Sequence, residues 1–311
     1  MTTDTRKGFI PSPAEADAPG SLFLMGEYAV LEGGRAVLMT LRHRLRVSIT
    51  PAESFRVTSD RFGVYAGEGG KPQHVVLCEN ILRRFLMYRH PRASGGDAEN
   101  TRIHISITSA IPPDLGFASS GALVGALTKA LFRAFDMAEN FIDMFAIGHA
   151  AIHDTFGRGS GADVAAALAD MPFLVFDPQS CTVAPFTPPF VVQAVYTGYK
   201  TTTPAVLKRV HEMVSPLQWA EVIAKMKTCT DTFIAVPSMK GVEEYQGYMN
   251  TLGVTCESSD EIIALFGARG VTAKISGAGM GDCIVGFTDT PLSVLDTPLP
   301  YRFLPQKELQ A

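Results

Sequence analysis

Apolar and polar positions repeat with different periods along this chain, and the periods mark its elements. Ile103, Ile105 and Ile107 alternate with His104, Ser106 and Thr108, the two-residue period of a half-buried strand over 102–109. The apolar run Leu22–Met25 predicts a strand over 21–26, and 35–41, 44–50, 54–58 and 191–196 read the same way. Val75, Leu77, Ile81, Leu82 and Phe85 fall near helical spacing and predict a helix over 74–89. Leu123, Leu127 and Leu131 predict another that starts near 119. Further helices are expected at 138–156, 204–213, 217–233, 238–251 and 258–268, then a strand pair around a glycine-rich loop near 280. Residues 1–17 read as a loosely packed tail and 92–101 as a polar loop. The segment PFTPPF, 185–190, is the best boundary and divides 1–188 from 189–311. Strands and helices interleave without the regularity of a doubly wound sheet, so the expected class is α+β.

Small residues punctuate this pattern at three places. In DLGFASSGALVGALTKAL, residues 114–131, Gly116, Phe117, Ala118, Ser119, Ser120 and Gly121 form a turn running directly into a helix. Side chains this small let main-chain N–H groups approach a ligand, and a helix N-terminus carries partial positive charge that holds anions. A plain capped turn is the alternative. APGSLFLMGEYAVLEGG, residues 18–34, contains Gly26, Glu27 and Tyr28, with Gly33-Gly34 turning into the next strand. AKISGAGMGDCIVGF, residues 273–287, contains Ser276, Gly277, Ala278 and Gly279, a run whose backbone can wrap a charged group, or else make a tight hairpin. No G-x-x-x-x-G-K-[ST] loop occurs.

Composition narrows the partners. The chain has 311 residues, enough for two domains with sizeable cores, and is 46% hydrophobic and 19% charged, as globular proteins are. A net charge of −4 argues against a nucleic-acid partner, which needs a concentrated basic face. Five scattered cysteines without a CxxC pair fit a reduced, cytoplasmic protein. No signal-peptide core or bilayer-length apolar run is present, so no membrane partner is expected.

Two further features carry chemistry. Asp163 follows Gly159-Ser160-Gly161 and precedes Val164–Leu168, which puts it in the first turn of a helix, where a carboxylate complements the dipole or orients a reacting group. His149 and His153 lie one helical turn apart, a spacing that can present two imidazoles to one metal. The segment His-Ala-Ala-Ile-His lacks the glutamate base of zinc hydrolases and shows no third ligand, so a structural or substrate-shaping role is the expectation.

In order, PGSLFLMGEYAVLEGG, PPDLGFASSGALVGAL, GRGSGADVAAAL and KISGAGMGDC resemble the GHMP small-molecule kinases, over roughly 18–290. The branch most similar phosphorylates mevalonate-pathway intermediates. Tyr28 stands where mevalonate kinases carry His, and both Gly159–Ala167 and Gly281-Asp282-Cys283 resemble phosphomevalonate kinases; Leu252-Gly253-Val254 and Ala273-Lys274 suit a mevalonate kinase equally. The resemblance implies a two-domain GHMP kinase fold: an N-terminal nucleotide-binding domain, 1–188, like a domain of ribosomal protein S5, and a C-terminal ferredoxin-like α/β sandwich, 189–311. It implies ATP and Mg²⁺ as cofactors and a small acidic isoprenoid precursor as acceptor, phosphomevalonate first and mevalonate second, and it leaves a homodimer open.

By the same resemblance, Asp163 is the catalytic carboxylate and 116–121 binds the nucleotide, with Ser120 reaching the metal. Glu27, Tyr28, Ser160, Gly161, Ser276, Gly277, Ala278 and Gly279 lie on the acceptor side. The chain departs from the pattern at Ser21, where many relatives have a catalytic lysine, and at Ala118 and Met280, where glycine is usual. Lys200 is the expected replacement cation, with Arg158, Lys7 and Lys274 as other options. The glutamate that binds metal in mevalonate kinases falls near Ile152 and is absent. A non-catalytic nucleotide-binding regulator and an ATP-dependent decarboxylase of mevalonate diphosphate are the rival readings.

Overall fold

The computed structural model describes residues 11–66, 70–89, 101–295, 297 and 301–310, so Lys7 and most of the expected loop 92–101 lie outside the described residues. The chain forms two compact units, each discontinuous in sequence. Strands β1 (Ala14–Met25) and β2 (Ala36–Pro51) pass through both.

The first unit takes the described residues of Met1–Gly20, Arg44–Ile111 and Ser119–Asp170. Here the second half of β2 pairs antiparallel with a strand over Ile103–Ser109, placing Val47 opposite Ile107 and Ile49 opposite Ile105, all buried. The strand Arg56–Ser59 is β3 and the short Gly63–Tyr65 is β4, so Ile103–Ser109 is β5; β3 runs parallel to β5 and β4 pairs outside it. Four helices complete the unit: α1 (Gln73–Arg89), α2 (Ser119–Ala134), α3 (Phe141–Phe156) and α4 (Ala162–Ala169). Helix α2 is buried on nearly every side, and even Lys129 turns inward to donate to the carbonyl oxygen of Ala167 at 3.1 Å. Helix α3 starts at 141 rather than 138 because Asn140 caps it, its Oδ1 accepting from the N–H groups of Ile142 and Asp143.

The second unit takes the described residues of Ser21–His43, Pro112–Ala118 and Met171–Ala311. The first half of β2 pairs with β6 (Phe173–Asp177), which pairs with β7 (Thr182–Pro185). A separate antiparallel sheet has β8 (Val191–Tyr196) and β10 (Cys283–Thr288) at its centre, with β9 (Thr272–Ser276) and β11 (Arg302–Leu304) at its edges. Helices α5 (Thr203–Met213), α6 (Pro216–Ala235), α7 (Met239–Thr251) and α8 (Glu257–Gly267) lie close to the expected spans, and a short α9 covers Gln306–Leu309. Serines 215 and 238 fix two of the starts by accepting from the N–H groups of Gln218 and Gly241.

Three expectations change. The strands expected at 35–41 and 44–50 are one: the polar Arg42-His43-Arg44 interrupts the apolar run, yet a single strand, Ala36–Pro51, runs through it, pairing with β6 before the interruption and with β5 after it. The tail ends sooner than expected, because Ala16 and Ala18 turn inward while Asp17 and Glu15 pair with Arg44 and Arg46 at 2.7 and 2.9 Å. The divide at 188/189 coincides with the edge of neither unit, since β6, β7 and the loop 112–118 all pack in the second. Strands β4, β6, β7 and β11 are additional to the expected set.

Candidate functional site

In the first unit the decisive packing is between the N-terminal turns of α2 and α4. Asp163 lies in the first turn of α4, which starts from the left-handed Gly161 (φ 76°). A Cβ on Gly121 would lie 2.8 Å from the Cβ of Asp163 and 3.0 Å from its carbonyl oxygen, so only glycine permits the approach. Asp163 is thereby seated against the turn of α2 that carries Ser119 and Ser120. The N-terminal turns of two helices and a carboxylate share one spot: one part attracts anions and the other can orient a proton or a cation. Ser160 supports the entry to α4, its Oγ accepting from the Ala162 N–H at 3.2 Å.

In the second unit the three glycine-rich segments meet. Segment 18–34 reaches the third through the Tyr28 hydroxyl, which donates to the Ala278 carbonyl at 2.5 Å, and through the Gly277 N–H, which donates to Glu27 Oε1 at 3.4 Å. Burial, with the Glu27 charge beside it, holds the Tyr28 phenol far above its ordinary pKa, so it remains a donor. The loop 112–118 is joined to both. Ser21 N–H donates to the Phe117 carbonyl at 3.3 Å, and the Cys283 thiol donates to the Leu115 carbonyl at 3.2 Å. A Cβ on Gly116 would stand 2.6 Å from Asp282 Oδ1, so the carboxylate of Asp282 lies directly against this loop. Lys200 Nζ is 3.9 Å from the same oxygen, and its side chain is 46% exposed. Thr201 donates to the Met280 carbonyl at 2.5 Å. Ala118 and Met280, the two departures from glycine, both keep left-handed backbones, at φ 52° and 53°.

Lys274 is not the replacement cation. Its side chain is fully buried and its Nζ is 2.5 Å from Glu27 Oε1, so it has no reach to a ligand. Burial pushes its pKa down, and the Glu27 carboxylate opposes that shift. Tyr245 closes the pair in, donating to the Glu27 carbonyl at 2.6 Å with its ring 5.4 Å from Nζ. A lysine between the apolar Ala273 and Ile275 is the sequence signal of such a buried partner, and Asp282 was legible only as part of the glycine motif. Arg158 is exposed in the loop after α3.

Residues 80–170, which hold α2, α3 and α4, match the model of the GHMP kinases N terminal domain. Over that stretch the chain is similar to the GHMP kinases. It is similar over 281 residues, at 28% identity, to a mevalonate kinase of Archaeoglobus fulgidus, spanning 87% of this chain and 91% of that one. A mevalonate kinase of Aeropyrum pernix is 21% identical over 88% of each chain. Among solved structures, Streptococcus pneumoniae phosphomevalonate kinase in complex with phosphomevalonate and AMPPNP has the same fold, with a TM-score of 0.74 at 18% identity over 89% of this chain and 92% of that one. The Methanococcus jannaschii mevalonate kinase follows at 0.67 and 17%, over 89% and 91%. No described helix is long and apolar enough to cross a membrane. Its five cysteines are all free.

Proposed function

We propose that this ATP-dependent kinase of the mevalonate pathway transfers the terminal phosphoryl group of ATP to 5-phosphomevalonate. The observation that carries the reading is the seating of Asp163 against the first turn of α2. Phosphoryl transfer asks a protein mainly for positioning and charge stabilisation. The main-chain N–H groups of 116–121 and the positive end of α2 meet the phosphates, with Phe117 serving through its backbone because its side chain is buried. The Ser120 hydroxyl and the Asp163 carboxylate are oxygen donors of the kind Mg²⁺ takes alongside water, and Mg²⁺, when bound, would neutralise polyphosphate charge at Ser120. Lys200 replaces the lysine absent at Ser21, held by Asp282 beside the same loop to which Ser21 is bonded.

The acceptor sets what Asp163 must do. A phosphate oxygen is already ionised at neutral pH, so Asp163 would orient phosphomevalonate; a hydroxyl acceptor would need it as a base. Tyr28 in place of His supports phosphomevalonate, as does Ile152, a buried apolar residue at the place of the mevalonate kinase glutamate. Ser160, Gly161 and 276–279 are the acceptor-side residues of this proposal, with Glu27 and Tyr28, buried and engaged by Lys274 and Ala278, supporting 276–279 from behind. Mevalonate is the second reading, favoured by the curated relatives matched along most of the chain. Purified protein with ATP, Mg²⁺ and each acceptor separates them. Faster transfer to phosphomevalonate supports the first reading and faster transfer to mevalonate the second. Turnover no higher than that of Asp163→Ala rejects both.

A further inference from the structure

Beside Ser160 and Gly161, three ligand-type atoms meet against α3. His149 Nε2 and His153 Nε2 are 3.2 Å apart, and they lie 2.8 and 3.2 Å from the carbonyl oxygen of Gly159. Protons cannot satisfy all three contacts. An imidazole nitrogen either carries a hydrogen or offers a lone pair. With hydrogens on both nitrogens, both donate to Gly159 but oppose each other. With a hydrogen on only one, the bare nitrogen faces the carbonyl oxygen, acceptor against acceptor. A cation in place of the protons would accept a lone pair from each of the three.

We propose that His149 Nε2, His153 Nε2 and the Gly159 carbonyl oxygen form a binding site for a zinc-class transition-metal ion, separate from the Mg²⁺ that accompanies a nucleotide. Two imidazole nitrogens bound to one tetrahedral ion at about 2.0–2.1 Å stand about 3.3 Å apart, and the observed separation is 3.2 Å. Imidazole suits zinc, copper, nickel and cobalt, whereas Mg²⁺ prefers oxygen and keeps its waters. The ring of His149 is held in place by stacking: Phe141 on Phe145 at 5.9 Å, and Phe145 on His149 at 5.3 Å. Burial lowers the pKa of His149, which keeps its lone pair available at neutral pH. Among the described residues no three His, Cys, Asp or Glu side chains gather for a metal. The third ligand is main chain, brought back onto α3 by the turn at Gly157, and residue spacing along the sequence cannot show it. A bound ion ties α3 to the loop that leads into Asp163.

The test is a Co²⁺ titration of the full chain in excess Mg²⁺, followed by visible d–d absorption and by metal analysis. One equivalent of Co²⁺ is expected, displaced by Zn²⁺, unmoved by added Mg²⁺, and weakened at least about tenfold in both His149→Gln and His153→Gln. His153 is exposed, so His153→Gln retains the fold, which the metal-free unfolding midpoint verifies. Absence of binding, or binding that survives His153→Gln because cysteines hold the ion, overturns the proposal.

Discussion

Lys274 Nζ lies 2.5 Å from Glu27 Oε1 with both side chains shut away from water, 0% and 2% exposed. The pair links the first glycine-rich segment to the strand that leads into the third, and the Ile275 carbonyl also accepts from Lys274. The second carboxylate oxygen, Glu27 Oε2, is buried without a hydrogen bond, so Glu27 relies on this one cation.

Removing one member strands the other charge. Lys274→Met alone is expected to cost about 3–5 kcal/mol, the range for breaking a buried pair. The double variant Glu27→Gln/Lys274→Met recovers most of that loss. Urea unfolding of the four proteins in a double-mutant cycle checks it, and additive losses would contradict the pairing.

Asp163→Asn keeps the side-chain shape and removes the charge. With a hydroxyl acceptor, kcat is expected to fall by about 10²–10⁴, the contribution of a positioned general base. With phosphomevalonate the fall is smaller and kcat varies little with pH, because no proton need be removed. Parallel pH–rate profiles for the two acceptors distinguish these outcomes.

Lys200 separates catalysis from stability. Its ion pair with Asp282 is half exposed, and such pairs contribute about 0–1 kcal/mol. Lys200→Met should therefore leave the unfolding midpoint nearly unchanged while lowering kcat by about 10²–10³, the usual loss on removing one transition-state charge donor. Asp282→Asn is expected to raise KM for ATP more than it lowers kcat, as the lysine loses its tether. Steady-state kinetics beside chemical unfolding reads both.

Ala118 holds a left-handed backbone, φ 52°, that costs an L-residue about 1–2 kcal/mol. Glycine removes that strain but adds freedom to the unfolded chain worth about 0.5–1 kcal/mol. Ala118→Gly is thus expected to be neutral or to stabilise by up to about 1 kcal/mol, the reverse of the usual sign. A rise or no change in the urea midpoint agrees; a fall does not.

His43, His74, His104 and His149 all have pKa values lowered first by burial. Below the ordinary value of about 6.5 the unfolded chain binds protons that the folded chain refuses. Stability is therefore full above that pH and falls as acid is added toward the depressed folded values. Nδ1 of His43 is buried without a partner, and His43→Gln should flatten the dependence. Unfolding midpoints at neutral and mildly acidic pH measure both slopes.

Much of the fold was legible along the chain. Period-3.6 runs located α1, α2 and the helices of the second unit, and the alternation Ile103–Ile107 located β5, because burial of one face imprints its period on sequence. Strand β6 escaped notice as a short apolar run after Met171-Pro172, and β7 because its side chains are mostly exposed. The motifs named the residues of the candidate site but not their neighbours.

The sequence by itself determined the glycine turns and most of the helix spans, and it carried the resemblance to a kinase family, since these rest on local backbone freedom and short-range periodicity. Only the tertiary structure decided that Asp163 meets Gly121, that Asp282 lies against Gly116, and that Lys274 is spent on Glu27 rather than on a ligand. Each depends on packing between distant segments, where a missing Cβ or a single buried counter-charge fixes the geometry, and no local pattern encodes it.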